Sequence, residues 1–145
     1  MLAINYFFEQ TPSFKYGLPA KKWIRLCLLK EDKKFGVLNF IFCSDSYLQK
    51  INKLYRKKSY FTDVISFNHD PVDFLGPAQK KCIYGDIYIS VDRVRENKKT
   101  YKTIFAKELR RVMIHGALHL VGFKDGSKKE KAIMRKKENT YIQIP

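Results

Sequence analysis

The sequence predicts an α+β fold: a small mixed β-sheet with about five helices, spanning residues 1–145 as one domain. Three observations carry this. Short runs rich in β-branched and aromatic residues alternate with helical stretches over the first ninety residues. From residue 91 onward the periodicity is helical throughout. A chain of 145 residues with 45% hydrophobic content also has enough apolar side chains for one real core.

The elements follow in order. "LAINYFF" and "GVLNFIFC" read as strands, and between them Pro19 opens a helical stretch carrying Trp23, Ile24, Leu26 and Leu28 among basic residues. Ser46 with Gln49 resembles a capping box. Tyr47, Leu48, Ile51, Leu54 and Tyr55 then share one helix face, and the helix ends near "RKKS". "TDVISF" (62–67) and "CIYGDIYISV" (82–91) read as two further strands, joined by a loop with Pro71, Gly76 and Pro77. One helix runs from 91 to about Asn97. The next, roughly 103–121, has Phe105, Leu109, Val112, Met113, Gly116 and Leu120 on one stripe, widened by Ile114, Leu118 and Val121, so its C-terminal half is expected to be buried. Ser127 with Glu130 forms a second capping box, opening a last helix through Ile133 and Met134 toward Tyr141.

Charge and cysteine usage narrow the function classes. The 29 Lys and Arg against 14 Asp and Glu leave a net charge of +15, which points to a polyanionic partner such as nucleic acid. The basic residues recur as pairs along the whole chain, so part of this charge is solvated surface. Cys27, Cys43 and Cys82 are widely spaced and form no CxxC, which argues against a disulfide framework, a disulfide-linked partner or a thiolate zinc site, and fits a cytoplasmic protein. "MLAINYFFEQ" does not read as a signal peptide, and the longest apolar stretch, around 112–123, is too short to span a bilayer. A soluble protein without a membrane partner is expected.

The segment "IHGALHLVGFKDG" (114–126) carries the chemistry. His115 and His119 differ by about 40° in azimuth and about 6 Å in rise, so both imidazoles leave one helix face a turn apart. The alternative is a pair of core histidines satisfied by backbone or a carboxylate. The flanking Ile, Gly, Ala, Leu and Val supply no such partner, whereas a divalent metal satisfies both rings at once. Gly122 suits a left-handed helix end, after which Asp125 is the nearest carboxylate able to return as third ligand, leaving a fourth position for water; its alternative role is a loop or N-cap aspartate before Ser127. Gly116 stands where an HExxH metalloprotease needs its general base, which disfavours peptide hydrolysis by that route.

Several blocks in this order resemble the YbeY family of bacterial endoribonucleases and ribosomal RNA maturation factors. They are "INKLYRKKSYFTDVISF" (51–67), "YGDIYIS" (84–90), "ELRRVMIHGALHLVGFKD" (108–125) and "MRKKENTYI", where the family has a last helix with Met and Glu. The family pattern HGxLHLxGYDH places three zinc-binding histidines. Here His115 and His119 match, Asp125 replaces the third histidine and Lys124 the aspartate before it. Zinc accepts a carboxylate, so one Zn2+ is expected at His115, His119 and Asp125, with another divalent metal more competitive than at three imidazoles.

The resemblance implies a single-strand-selective RNase in 16S ribosomal RNA 3′-end maturation and ribosome quality control, with RNA, including the 16S precursor, and small-subunit ribosomal proteins as partners. Read from its neighbours alone, Arg56 is an exposed cation at the end of a basic helix beside Lys57 and Lys58, but it matches the family's functional arginine in "YR". A guanidinium there would hold phosphate oxygens as charge builds in the transition state, and Arg56 and His115 are the residues the resemblance implies to be catalytic. Glu108 is too far along the helix to ligate and is expected to orient a ligand or to form a surface salt bridge with Arg110 or Arg111. Asp63, Ser66 and Asp86 either line the cleft or serve turns and strand edges. Tyr60, Phe61 and Phe67 are stacking candidates whose simpler role is packing. His69 matches no ligand. The alternative function is a non-catalytic ribosome-assembly or RNA-binding factor with a structural metal.

Overall fold

The computed structural model describes residues 2–56, 62–69, 76 and 81–145, with the Arg56 side chain outside that description. Its elements are β1 (Ala3–Glu9), α1 (Lys21–Leu28), β2 (Phe35–Cys43), α2 (Asp45–Arg56), β3 (Val64–His69), β4 (Ile83–Ser90), α3 (Val91–Thr100), α4 (Phe105–Val121) and α5 (Lys128–Ile142). This is the expected α+β arrangement of a mixed sheet with five helices among the described residues.

The strand order is β1-β2-β4-β3. β1, β2 and β4 are parallel, with Tyr6 opposite Phe40 and Phe40 opposite Ile87, and β3 closes the edge antiparallel to β4 with Ser66 opposite Ile87. Side chains alternate across the sheet, so Leu38, Phe40, Phe42, Ile87 and Ile89 form one apolar face. Against it pack Trp23 and Ile24 of α1 and Leu109, Met113 and Ala117 of α4, one continuous core. Burial of each large side chain contributes about 1.5–3 kcal/mol. The other face carries a smaller cluster in which Cys43, Leu48 and Ile65 meet Tyr47, Ile51, Phe67 and Tyr88 beneath α2.

Two local expectations change. The first turn of α2 is capped by Ser44 rather than Ser46: the Ser44 hydroxyl accepts from the Tyr47 N–H at 3.2 Å, and the helix starts at Asp45. On α5 the buried stripe is Met134, Glu138 and Tyr141, leaving Ile133 exposed. The Ser127–Glu130 capping box forms as read from the sequence, and Gly122 ends α4 with φ 116°, a left-handed conformation that costs a glycine little. Cys27 and Cys43 are buried free thiols, and burial pushes both up to about 12. Among the described residues no helix is long and apolar enough to cross a membrane.

Candidate metal centre

Helix α4 lies directly on the sheet, and a glycine makes that approach possible. A Cβ at Gly116 would fall 2.6 Å from Ile87 Cγ2 and 3.0 Å from Val64 Cγ2. The Ser66 hydroxyl donates to the Gly116 carbonyl at 2.8 Å, pinning the helix to edge strand β3. Position 116 is thus occupied by packing, while the adjacent face carries Glu108, Arg111, His115 and His119, spaced by three, four and four residues along one stripe.

The turn after Gly122 returns the chain to that stripe. Gly122 N–H donates to the carbonyls of Leu118 and His119 at 3.2 and 3.1 Å, and Phe123 N–H to that of Leu118 at 3.1 Å. This brings the Phe123 carbonyl to 3.0 Å from His119 Nδ1 and Asp125 to the open side of both rings. His115 Nε2 and His119 Nε2 lie 2.9 Å apart, and Asp125 Oδ2 is 3.2 Å from the first and 3.4 Å from the second. The three predicted ligands therefore converge, and they form a group able to hold a metal ion.

The donor chemistry fits a cation. His119 Nδ1 faces a carbonyl and His115 Nδ1 faces Glu138 Oε2 at 2.7 Å, both acceptors, so each ring proton belongs on Nδ1 and each lone pair on Nε2. Two lone pairs and a carboxylate oxygen then face one another and repel unless a proton or a metal lies among them. Tetrahedral zinc, with ligands at about 2.0–2.3 Å, sets its donors a little over 3 Å apart, close to the separations found. Side-chain exposures of 22% for His115, 31% for His119 and 45% for Asp125 leave the centre open to solvent.

Two clefts meet there. One of about 410 Å³ runs along β3, lined by Thr62, Asp63, Ser66 and the three ligands among others. The second, about 290 Å³, lies between α3, α4 and α5, with Asn97, Glu108, Arg111, Lys131, Arg135 and Glu138 in its walls. Asp63 borders both and accepts from the Asn97 amide at 3.1 Å. Burial alone would pull the His115 imidazole down. The hydrogen bond and charge of Glu138, with the charges of Asp63 and Asp125, outweigh that and hold its pKa above the ordinary histidine value.

The remaining candidates divide. Ser66 reaches the β3 cleft, but Asp86 lies on the opposite face of the sheet, where it accepts from Asn39 at 2.9 Å and pairs with His69 at 2.7 Å. His69 is engaged with Asp86 there and is not part of the His115–His119–Asp125 group. Phe67 packs edge-on against Tyr55 and Tyr88. Glu108 does pair with Arg111, at 3.5 Å, but at 2% exposure the contact is buried rather than on the surface. Burial also raises the Glu108 pKa, partly countered by Arg111. Arg110 instead stacks over the Trp23 ring. Arg56 is the last residue of α2, and its side chain, with Tyr60 and Phe61, lies outside the described residues. The residue missed in the sequence is Glu138. Its signal was a carboxylate in the apolar i, i+4, i+7 stripe of α5 between Met134 and Tyr141.

Fold and site together define a small α+β protein with a solvent-open His₂–carboxylate centre where a buried helix crosses an edge strand. The profile of the family described as "Endoribonuclease YbeY" matches residues 8–144, and the chain belongs to that family. It is 42% identical over 139 residues to the Endoribonuclease YbeY of Karelsulcia muelleri (strain GWSS), covering 96% of this chain and 93% of that protein. It is 45% identical over 122 residues to the protein of that name from Flavobacterium psychrophilum, covering 84% and 81%. Among solved structures, it is similar to the solution structure of a Thermotoga maritima protein, with TM-score 0.61, 28% identity, and coverage of 99% of this chain and 87% of that one.

Proposed function

We propose that this chain is a metal-dependent endoribonuclease that cuts single-stranded RNA, with one zinc ion held by His115, His119 and Asp125, and that it acts in 16S ribosomal RNA 3′-end maturation and ribosome quality control, alongside small-subunit ribosomal proteins. The observation that carries the reading is the convergence of two imidazole lone pairs and one carboxylate in an open cleft of a strongly basic chain. Family membership supports RNA as the substrate.

When bound, the metal supplies Lewis acidity toward a phosphate oxygen and lowers the pKa of a water. The chain's own residues do the rest. Lys131 and Arg135 line one approach to the centre and draw the phosphate backbone toward it. Arg56 is assigned the role of neutralising the charge that develops on the phosphorus-bound oxygens. A purely structural metal would call for four protein ligands and enclosure. The three donors here, with Asp125 nearly half exposed, favour catalysis over the reading as a non-catalytic assembly factor.

Metal analysis of the purified protein, combined with cleavage of a single-stranded RNA with and without chelator, tests this. Cleavage is expected to require the metal and to disappear in His115→Ala. Cleavage unaffected by either treatment would overturn the metal mechanism, and RNA binding without any cleavage would establish the assembly-factor reading instead.

A further inference from the structure

We propose that Glu138, anchored by Arg111, is a positioning residue that fixes the tautomer of His115 and thereby sets the metal affinity of the centre. The inference rests on the metal site invoked above.

The two imidazoles are held differently. His119 Nδ1 meets a main-chain carbonyl, that of Phe123, whereas His115 Nδ1 meets a side chain, Glu138 Oε2, at 2.7 Å. An isolated neutral imidazole carries no fixed preference for leaving Nε2 free, so a ring in this pocket needs an acceptor on Nδ1 if Nε2 is to offer its lone pair. Glu138 is 3% exposed, and a carboxylate so buried stays ionised only with compensation. Arg111 supplies it: Nη1 donates to Glu138 Oε1 at 3.2 Å and to Asn139 Oδ1 at 3.0 Å, and Nε lies 3.5 Å from Glu108 Oε1. Arg135 Nη1 adds a looser contact with Glu138 Oε1 at 3.6 Å. The chain of charge from Glu108 through Arg111 to Glu138 ends on one ring nitrogen. A slot in the apolar stripe of α5 would be filled at lower cost by leucine or methionine, and nothing about packing explains a carboxylate there.

The test uses the full chain, freed of metal, with long-range proton–nitrogen correlation of the histidine rings above the histidine titration range, and a zinc titration against a competing chelator. In the wild type both His115 and His119 are expected to carry the proton on Nδ1. Glu138→Met, which fills the volume without a polar atom, is expected to move His115 toward the Nε2-protonated form and to weaken zinc binding about 10–100-fold. Glu138→Gln, whose amide oxygen still accepts, is expected to stay within a few-fold of wild type. His119 serves as internal control and should not change in either variant. A wild-type His115 protonated on Nε2, or a folded Glu138→Met protein with unchanged tautomer and unchanged zinc affinity, would overturn the proposal. A protein that binds zinc in this Glu138-dependent manner yet cuts no RNA would sink the RNase reading and leave the positioning role intact.

Discussion

Consecutive residues of α5, Lys137 and Glu138, belong to two part-buried ion clusters that end differently. Lys137 Nζ donates to both oxygens of Glu31, at 2.9 and 3.2 Å, and the Tyr141 hydroxyl donates to the same carboxylate. Every charge there has its counterpart, and the cluster ties α5 to the segment after α1. Glu138 also receives donors on both oxygens, from Arg111 and His115. The far nitrogen of His115, however, points at two more electron-pair donors. A polar network that closes on itself is structural; one that ends on converging electron-pair donors could hold a cation.

Four measurements break or sharpen that contrast, in decreasing size of expected effect. Removing the open end, with His115→Ala, should lower RNA cleavage at least about 100-fold, while circular dichroism shows the fold retained. Removing the closed end, with Glu31→Ala, should cost about 2 kcal/mol in urea unfolding and leave zinc affinity unchanged, because it strands Lys137 without touching the ligands. Restoring a third imidazole, with Asp125→His, should shift preference from manganese toward zinc by about tenfold in competition titrations. The smallest effect concerns Glu108. Its pKa is raised in the folded chain, so the fold binds that proton more tightly than the unfolded chain does. Stability from this group is therefore greatest below the ordinary glutamate value of about 4.3 and declines as pH rises through the raised value. Glu108→Gln should remove that decline, raising the urea midpoint at pH 7 relative to that at pH 4 compared with the wild type.

The same contrast explains what could be read in the sequence. Closed, repetitive features were legible: the strands from their apolar runs, α4 from its stripe, the Ser127 cap and the Gly122 turn from residue chemistry. The convergence of His115, His119 and Asp125 was legible because histidines four apart and an aspartate after a glycine turn are rare and local. Glu138 was hidden because its meaning depends on a contact 23 residues distant, and "MRKKENTYI" shows it only as a glutamate of the last helix, with no role attached. The Ser44 cap was displaced by two residues because Ser44 and Ser46 offer the same hydroxyl, and only the strand's exit from Cys43 decides between them. That Asp86 faces away from the ligands follows from β4 alternation combined with sheet order, and order cannot be read from one strand alone.

The hydrogen at Gly116 has a mechanical consequence. With Ile87 and Val64 already at the limit of approach, α4 behaves as a rod resting on a fulcrum one residue from His115 and three from His119. Adding a single methyl group at residue 116 would lift the rod and carry both rings away from β3 together, widening one flank of the centre without altering any of its ligands.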